Sequence, residues 1–257
     1  MDTQITVTGE KPVWSRIANI GQVYCEDATL AMDNEKMKLV GVNGSHVAMW
    51  ELEIPSEAFN EYDSDIELKE QTVPLDIFQK SLKILKPKDL QSLIISKEEY
   101  KLVNAQQELW VGLEDQRHKN GGPRKPNLDE SEFTSVVIPT DWLVNALVAA
   151  KEYTHEVMFS TDTAIQAFCL TAIAGNEGRP GTTMKYTLLE ERGEKPPEKN
   201  EAQKFNVTHL LPLIRKLKAE KCREVKLSIK ERNPLLLTAR WDDGTKLAFF
   251  LAPWIRH

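Results

Sequence analysis

The residues of this 257-residue chain whose types could do chemistry are three cysteines, five histidines and clustered lysines and arginines. Cys25, Cys169 and Cys222 lie far apart, with no Cys-x-x-Cys pair and no histidine at ligand spacing, so no zinc site of the usual kind is expected. They read as free thiols packed like small hydrophobes. His155-Glu156 lacks the second histidine of a His-Glu-x-x-His helix, and Ser45-His46 are chain neighbours, whereas a nucleophile and its base are normally brought together by the fold. Gly175, Gly178 and Gly181 read as a flexible turn, because no strand-then-helix context suits a phosphate cradle. Asn206-Val207-Thr208 matches a glycosylation sequon that would matter only in a secreted chain. No catalytic residue, metal ligand or cofactor is expected, and the cations remain.

Thirty-three Lys+Arg stand against 39 Asp+Glu, a net charge of −6, which excludes a wholly basic nucleic-acid binder and a disordered tail protein. The average hides an uneven distribution. Glu51 to Glu70 holds eight carboxylates and one lysine, while Arg215 to Arg232 holds eight Lys or Arg against three Glu. On a helical wheel Leu75, Phe78, Leu82 and Leu85 share one side and Lys80, Lys83 and Lys86 the other. A later stretch repeats the arrangement: Leu210, Leu213, Ile214 and Leu217 group together, with Arg215 and Lys216 opposite and Lys218 on the flank. One basic helix face is usually a solvated face, but two in equivalent places suit a protein that turns several copies of one surface toward a polyanion. With no zinc finger, basic zipper or RNA-recognition signature, contact with phosphate rather than base reading is implied.

The elements that must position these cations repeat. Phe78 to Ser96 and Leu210 to Ser228 each run from an amphipathic helix through a basic exit into a short apolar strand, and Trp14 to Met32 parallels Trp142 to Ser160, both at a spacing of about 130 residues. Each half reads as helix, short strands, helix and more strands, with turn chemistry at Asp33-Asn34, Asn43-Gly44, Asn176-Glu177-Gly178 and Asp242-Asp243-Gly244. Two related α+β domains are expected, 1–113 and 133–257, joined by a polar linker over 114–132 that cannot bury itself. Glu190 to Gln203 reads as an exposed loop. No apolar run approaches the ~18 residues of a membrane span, and no secretory signal is visible, so a reducing compartment is expected.

Lys38 to Leu52, KLVGVNGSHVAMWEL, with the following Ile54 to Tyr62, resembles the first-domain segment of PCNA, the DNA sliding clamp family of eukaryotes and archaea. Ser81 to Lys86 is similar to the family's second basic helix, and Leu247 to Pro253 to its C-terminal strand. Pro126-Asn127-Leu128 resembles archaeal members more than eukaryotic ones. The resemblance covers nearly the whole chain in order. It implies the DNA clamp fold, an α+β architecture of two similar domains of sheets with two helices each, closing as a trimeric ring with helices lining the hole. It also implies a non-enzymatic processivity factor that encircles duplex DNA without sequence preference. Its partners would be further copies or paralogues of the chain, and DNA polymerase, clamp loader, flap endonuclease and ligase through a short docking motif, with no membrane. The setting would be the cytoplasm, at the nucleoid, in an archaeon, or the nucleus in a eukaryote.

Residue by residue, the resemblance carries DNA-facing roles to Lys83, Lys86, Lys216 and Lys218, and helical placement adds Lys11, Arg16, Lys80, Lys151, Arg215 and Lys221. The helix Asp141 to Lys151 is poor in positive charge. The client-motif pocket maps to His46, Val47, Met49, Leu128, Pro234, Leu235, Phe250, Leu251, Ala252 and Pro253, an apolar groove for a helical turn with aromatic anchors. Subunit contacts map to two edge strands: Glu108 to Glu114, with Leu109, Trp110 and Val111, and Thr182 to Leu189, with Met184, Tyr186 and Leu188. Two alternatives stay open: a paralogous subunit of a heterotrimeric or damage-signalling ring, and a small hydrolase using His46 or His155.

Overall fold

A computed structural model describes residues 5–63, 68–96, 99–112, 125–165, 167–174, 182–189 and 200–254. The chain divides into two compact units, Met1–Lys125 with Arg240–Leu247, and Pro126–Ala239 with Ala248–His257. The first unit runs β1 (Ile5–Glu10), α1 (Lys11–Gly21), β2 (Asp27–Met32), β3 (Lys36–Val42), β4 (Ala48–Pro55), β5 (Glu61–Asp63), β6 (Leu68–Pro74), α2 (Asp76–Leu82), β7 (Leu90–Ile95), β8 (Glu99–Asn104) and β9 (Glu108–Gly112). The second contains β10 (Thr134–Pro139), α3 (Thr140–Lys151), β11 (Glu156–Asp162), β12 (Ala167–Ala174), β13 (Thr182–Leu189), β14 (Ala202–Asn206), α4 (Val207–Ala219), β15 (Glu224–Ile229) and β16 (Leu235–Arg240), then the end of β17 (Lys246–Leu251).

The duplication is visible in strand order. In the first unit β5-β1-β7-β8-β9 are neighbours, as are β4-β3-β2-β6; in the second the runs are β10-β15-β16-β17 and β13-β12-β11-β14. Setting aside the extra strand β5, the two lists superimpose term by term, and the pairs with described register are antiparallel. Alternating burial shows why these segments are strands: β3 and β11 each bury every second residue, the period of a sheet with one apolar face. Gly41 of β3 is needed for close approach, since a Cβ there would come within 2.5 Å of the Trp50 indole and 2.6 Å of the Cys25 sulfur.

Helix entries are duplicated too. The amides opening α1 and α3 donate to the carbonyls of Asp89 (3.2 Å) and Arg223 (2.8 Å), just before β7 and β15. Those opening α2 and α4 donate to Glu26 and His155, both at 2.8 Å, just before β2 and β11. Helix α1 carries Pro in its first turn, where a missing N–H costs nothing. Helix α4 is capped by Asn206, whose side-chain oxygen accepts from the Thr208 N–H at 2.8 Å, so the sequon of the sequence is a helix cap here.

Each unit packs its two helices together over its sheets. In the first, Trp14 is fully buried, stacks on Phe78 of α2 at 5.9 Å, and donates its Nε1–H to the Gly9 and Gln91 carbonyls, both at 3.0 Å. In the second, α4 buries Leu210, Leu211, Leu213, Ile214 and Leu217, and Phe159 meets Phe168 and Phe205 at ring-centre distances of 5.6 and 6.0 Å. Cys169 and Cys222 are buried free thiols and Cys25 is half-buried. The expected exposed loop 190–203 lies largely outside the described residues, and its end is a strand instead, since β14 starts at Ala202 and pairs with β11. The turns at 175–181 and most of the linker, 114–124, also lie outside them.

Candidate nucleic-acid interface

The second helix of each unit carries the cations. Helix α4 buries its apolar stripe and leaves Arg215 and Lys218 exposed with Lys216 half-buried, as its periodicity requires. Lys218 pairs with Asp141 of α3 at 2.7 Å. Lys151, at the end of α3, is exposed. Lys221 lies beyond α4 rather than on it: its φ of 60° is left-handed, its N–H donates to Lys218 at 3.0 Å, and the Cys222 N–H donates to Leu217 at 2.9 Å. That double bond pattern is a Schellman motif, with lysine in the place glycine usually takes.

Helix α2 is shorter than the sequence wheel implies. It ends at Leu82, so Lys83 is its C-cap and Lys86 stands in the following turn. Pro87 disfavours the helical region for Lys86, so a helix running through this exit would end there at the latest. The turn is fixed: the Lys86 N–H donates to the Asp89 carboxylate at 2.8 Å, Leu85 is buried, and the Lys11 ammonium donates to the Leu85 carbonyl at 2.5 Å. Lys83 and Lys86 are exposed, and Lys80 pairs with Asp76 at 2.6 Å one helical turn away.

Two expected DNA contacts are otherwise engaged. Lys11 closes the α2 exit as just described. Arg16 is only 11% exposed, forms an ion pair with Asp243, donates to the Thr245 hydroxyl at 3.0 Å, and lies over the Trp241 ring at 5.2 Å. It is a structural cation of its own unit. Burial alone would raise the Asp243 pKa, but the Arg16 hydrogen bond and charge, with Thr245, hold it below the usual carboxylate value. The acidic segment is also partly neutralised: Glu51 is buried and pairs with Lys38 at 2.7 Å, and Glu53 with Lys36 at 3.0 Å, pushing the lysine pKa up.

Both strands expected at subunit contacts end a run: among the described residues β9 follows β8 with no further neighbour, and β13 ends the order β13-β12-β11-β14. Trp110 on β9 is 55% exposed, with the Lys101 ammonium 4.5 Å from its ring centre. On β13 Met184 and Tyr186 are half-buried and Tyr186 meets Trp142 of α3 edge-on at 6.2 Å. The side chains of Val111 and Leu188 lie outside the described residues.

The residues assigned to the client pocket fall in both units. In the first, His46 and Val47 sit in the turn between β3 and β4; His46 is exposed with φ 56°, and Val47 is half-buried. Buried Asn43 builds that turn, its Oδ1 accepting from the N–H groups of Val47 (2.9 Å) and Ala48 (3.0 Å). Its organising role was legible only as an Asn-Gly turn signal. In the second unit Leu128, Pro234, Ala252 and Pro253 are half-buried. Met49, Leu235, Phe250 and Leu251 are core instead, with 8%, 0%, 3% and 1% of their surface exposed, because their strands are buried over consecutive residues here, on both faces. Trp254, which the sequence reading passed over, is 43% exposed and fixed by its N–H donating to the Lys204 carbonyl at 2.8 Å. His155 is exposed at a strand entry, and among the described residues no cluster of His, Cys, Asp and Glu could hold a metal. No described helix is long and apolar enough to cross a membrane.

This duplicated pair of helix-on-sheet units is the DNA clamp fold, and over nearly its full length the chain is similar to solved PCNA subunits. One is in the structure of the C-terminal region of FEN-1 bound to A. fulgidus PCNA, with a TM-score of 0.82 at 20% identity over 98% of this chain and 99% of that one. Another is PCNA from Thermococcus kodakaraensis, with a TM-score of 0.78 at 21% identity over 97% and 100%. No curated protein matches the chain in sequence. Residues 11–108 match the family described as proliferating cell nuclear antigen, N-terminal domain.

Proposed function

We propose that the chain is a DNA sliding clamp: copies of it close into a three-membered ring around duplex DNA and tether replication and repair proteins, flap endonuclease and polymerase among them. The observation that carries this is the duplication, in which each unit brings lysines and arginines on, or just beyond, its second helix to an equivalent place in the strand order. Lys83 and Lys86 at the α2 exit and Arg215, Lys216 and Lys218 on α4 contact phosphate without reading bases. A net charge of −6 keeps the remaining surface from gripping DNA, so topology replaces affinity. The edges β9 and β13 pair between copies, because ring closure removes both unpaired edges at once. The linker over 114–132 joins the two domains. The docking surface for a client motif draws on Leu128, Pro234 and the tail Ala252 to Trp254 of the second unit, whose neighbours Leu235, Phe250 and Leu251 are buried.

Native mass measurement tests the ring: the purified chain is expected at three times its 29.3 kDa. A monomer that trimerises only with other subunits would instead assign it to a heteromeric ring. Lys83→Ala with Lys216→Ala is expected to reduce DNA binding and leave the trimer mass unchanged; loss of the trimer in that variant contradicts the assigned roles.

A further inference from the structure

We propose that Asp76 and Asp141 are internal competitors for phosphate, each holding a lysine that would otherwise contact DNA, so that they set how loosely the ring holds the duplex. This rests on the clamp reading above. In each unit one exposed lysine of the cation-bearing helix is occupied by an exposed carboxylate: Lys80 by Asp76 at 2.6 Å, with side chains 62% and 52% exposed, and Lys218 by Asp141 at 2.7 Å, at 49% and 72%. Among the described residues no ion pair engages the neighbouring Lys83, Lys86, Arg215 or Lys216. The cations thus fall into an occupied and an unoccupied class within one surface.

Solvent-exposed pairs of this kind are held weakly and exchange readily, so both lysines can reach a phosphate oxygen. To do so they give up a carboxylate, exchanging one anion for another where an unoccupied lysine exchanges only water and counterions. The carboxylate also stays beside the phosphate and repels it. Each Asp therefore subtracts from the attraction its lysine would supply while leaving the cation available for brief contact. That suits a protein that must move along DNA rather than settle on it. Both aspartates lie in the first turns of their helices, where a carboxylate suits the helix dipole, so the local fold and the competition favour the same residue.

The test uses the full-length chain, a short fluorescent duplex and a salt titration, comparing Asp76→Asn with Asp141→Asn, singly and together. Asparagine keeps the size and is tolerated near helix starts, and circular dichroism checks that helix content is retained. The double variant is expected to bind several-fold more tightly at low salt, and its plot of log affinity against log salt is expected to steepen by ~0.9 for each lysine released. Adding Lys80→Gln and Lys218→Gln in that background is expected to abolish the gain. A gain that survives neutralising both lysines, in a variant whose net charge equals that of the parent chain, does not come from those lysines and overturns the pairing. Unchanged or weaker binding in the double variant, with Lys83→Ala and Lys216→Ala still weakening it, overturns the inference and leaves the clamp reading standing. If none of these lysine or aspartate variants alters binding, the clamp reading itself fails.

Discussion

Helices α2 and α4 occupy the same place in the two units, yet they present charge by different physical means. Helix α4 has 13 residues and carries its cations on its own face, so helical periodicity alone sets their direction. Helix α2 has seven residues, and its principal cations, Lys83 and Lys86, stand on an irregular exit fixed by Leu85, Asp89 and Lys11. The first helices differ as well. Arg16 of α1 is drawn inward to Asp243, whereas α3 has no cation before Lys151 at its end. A duplicated fold therefore preserves the position of a charged surface while letting each copy build it separately.

The largest effect that would sharpen this contrast is Trp14→Ala. Trp14 joins α1 to α2 through Phe78, so its loss is expected to cost about 3–5 kcal/mol of stability in denaturant unfolding. Hydrogen exchange is expected to quicken at the amides of Lys83 to Asp89 while those of α4 keep their protection; equal loosening of both helices would erase the distinction between the units. A smaller effect comes from Arg16→Ala, which leaves the Asp243 carboxylate without its charged partner and is expected to cost about 1.5–3 kcal/mol. The folded pKa of Asp243 lies below its ordinary 3.8, so the pair's contribution is complete above that value and is lost as pH falls through the lowered one. Thermal melts from ~pH 5 down to ~pH 2 should accordingly show a shallower decline in Arg16→Ala than in the parent chain. Smallest is Lys221→Gly, which relieves a left-handed φ of 60° at the end of α4 and is expected to stabilise by about 1 kcal/mol or less. A destabilised variant would show that the lysine side chain, rather than the backbone, matters there.

Much of the architecture was legible along the chain. The two amphipathic helices, the spacing between the halves and the strand periodicity all depend on neighbours within a few residues, and the burial of Leu210, Leu213, Ile214 and Leu217 follows the wheel. The site was less so. Lys11 and Arg16 face the solvent side of a wheel drawn for α1 alone, but their partners lie 74 and 227 positions away. No local pattern announces Asp243 as the partner of Arg16. Phe250 and Leu251 lie in a stretch that resembles the family's C-terminal strand in sequence, and the fold buries both.

By itself the sequence determined where helices and strands form, that they form twice, and which helices are basic, because propensity, periodicity and turn chemistry act over one or two turns of chain. Only the tertiary structure decided which of the basic residues remain available to a phosphate. That choice rests on contacts between residues distant along the chain: a lysine is free or occupied according to what the fold places within about 3 Å of its ammonium group, a range over which a single carboxylate decides the outcome.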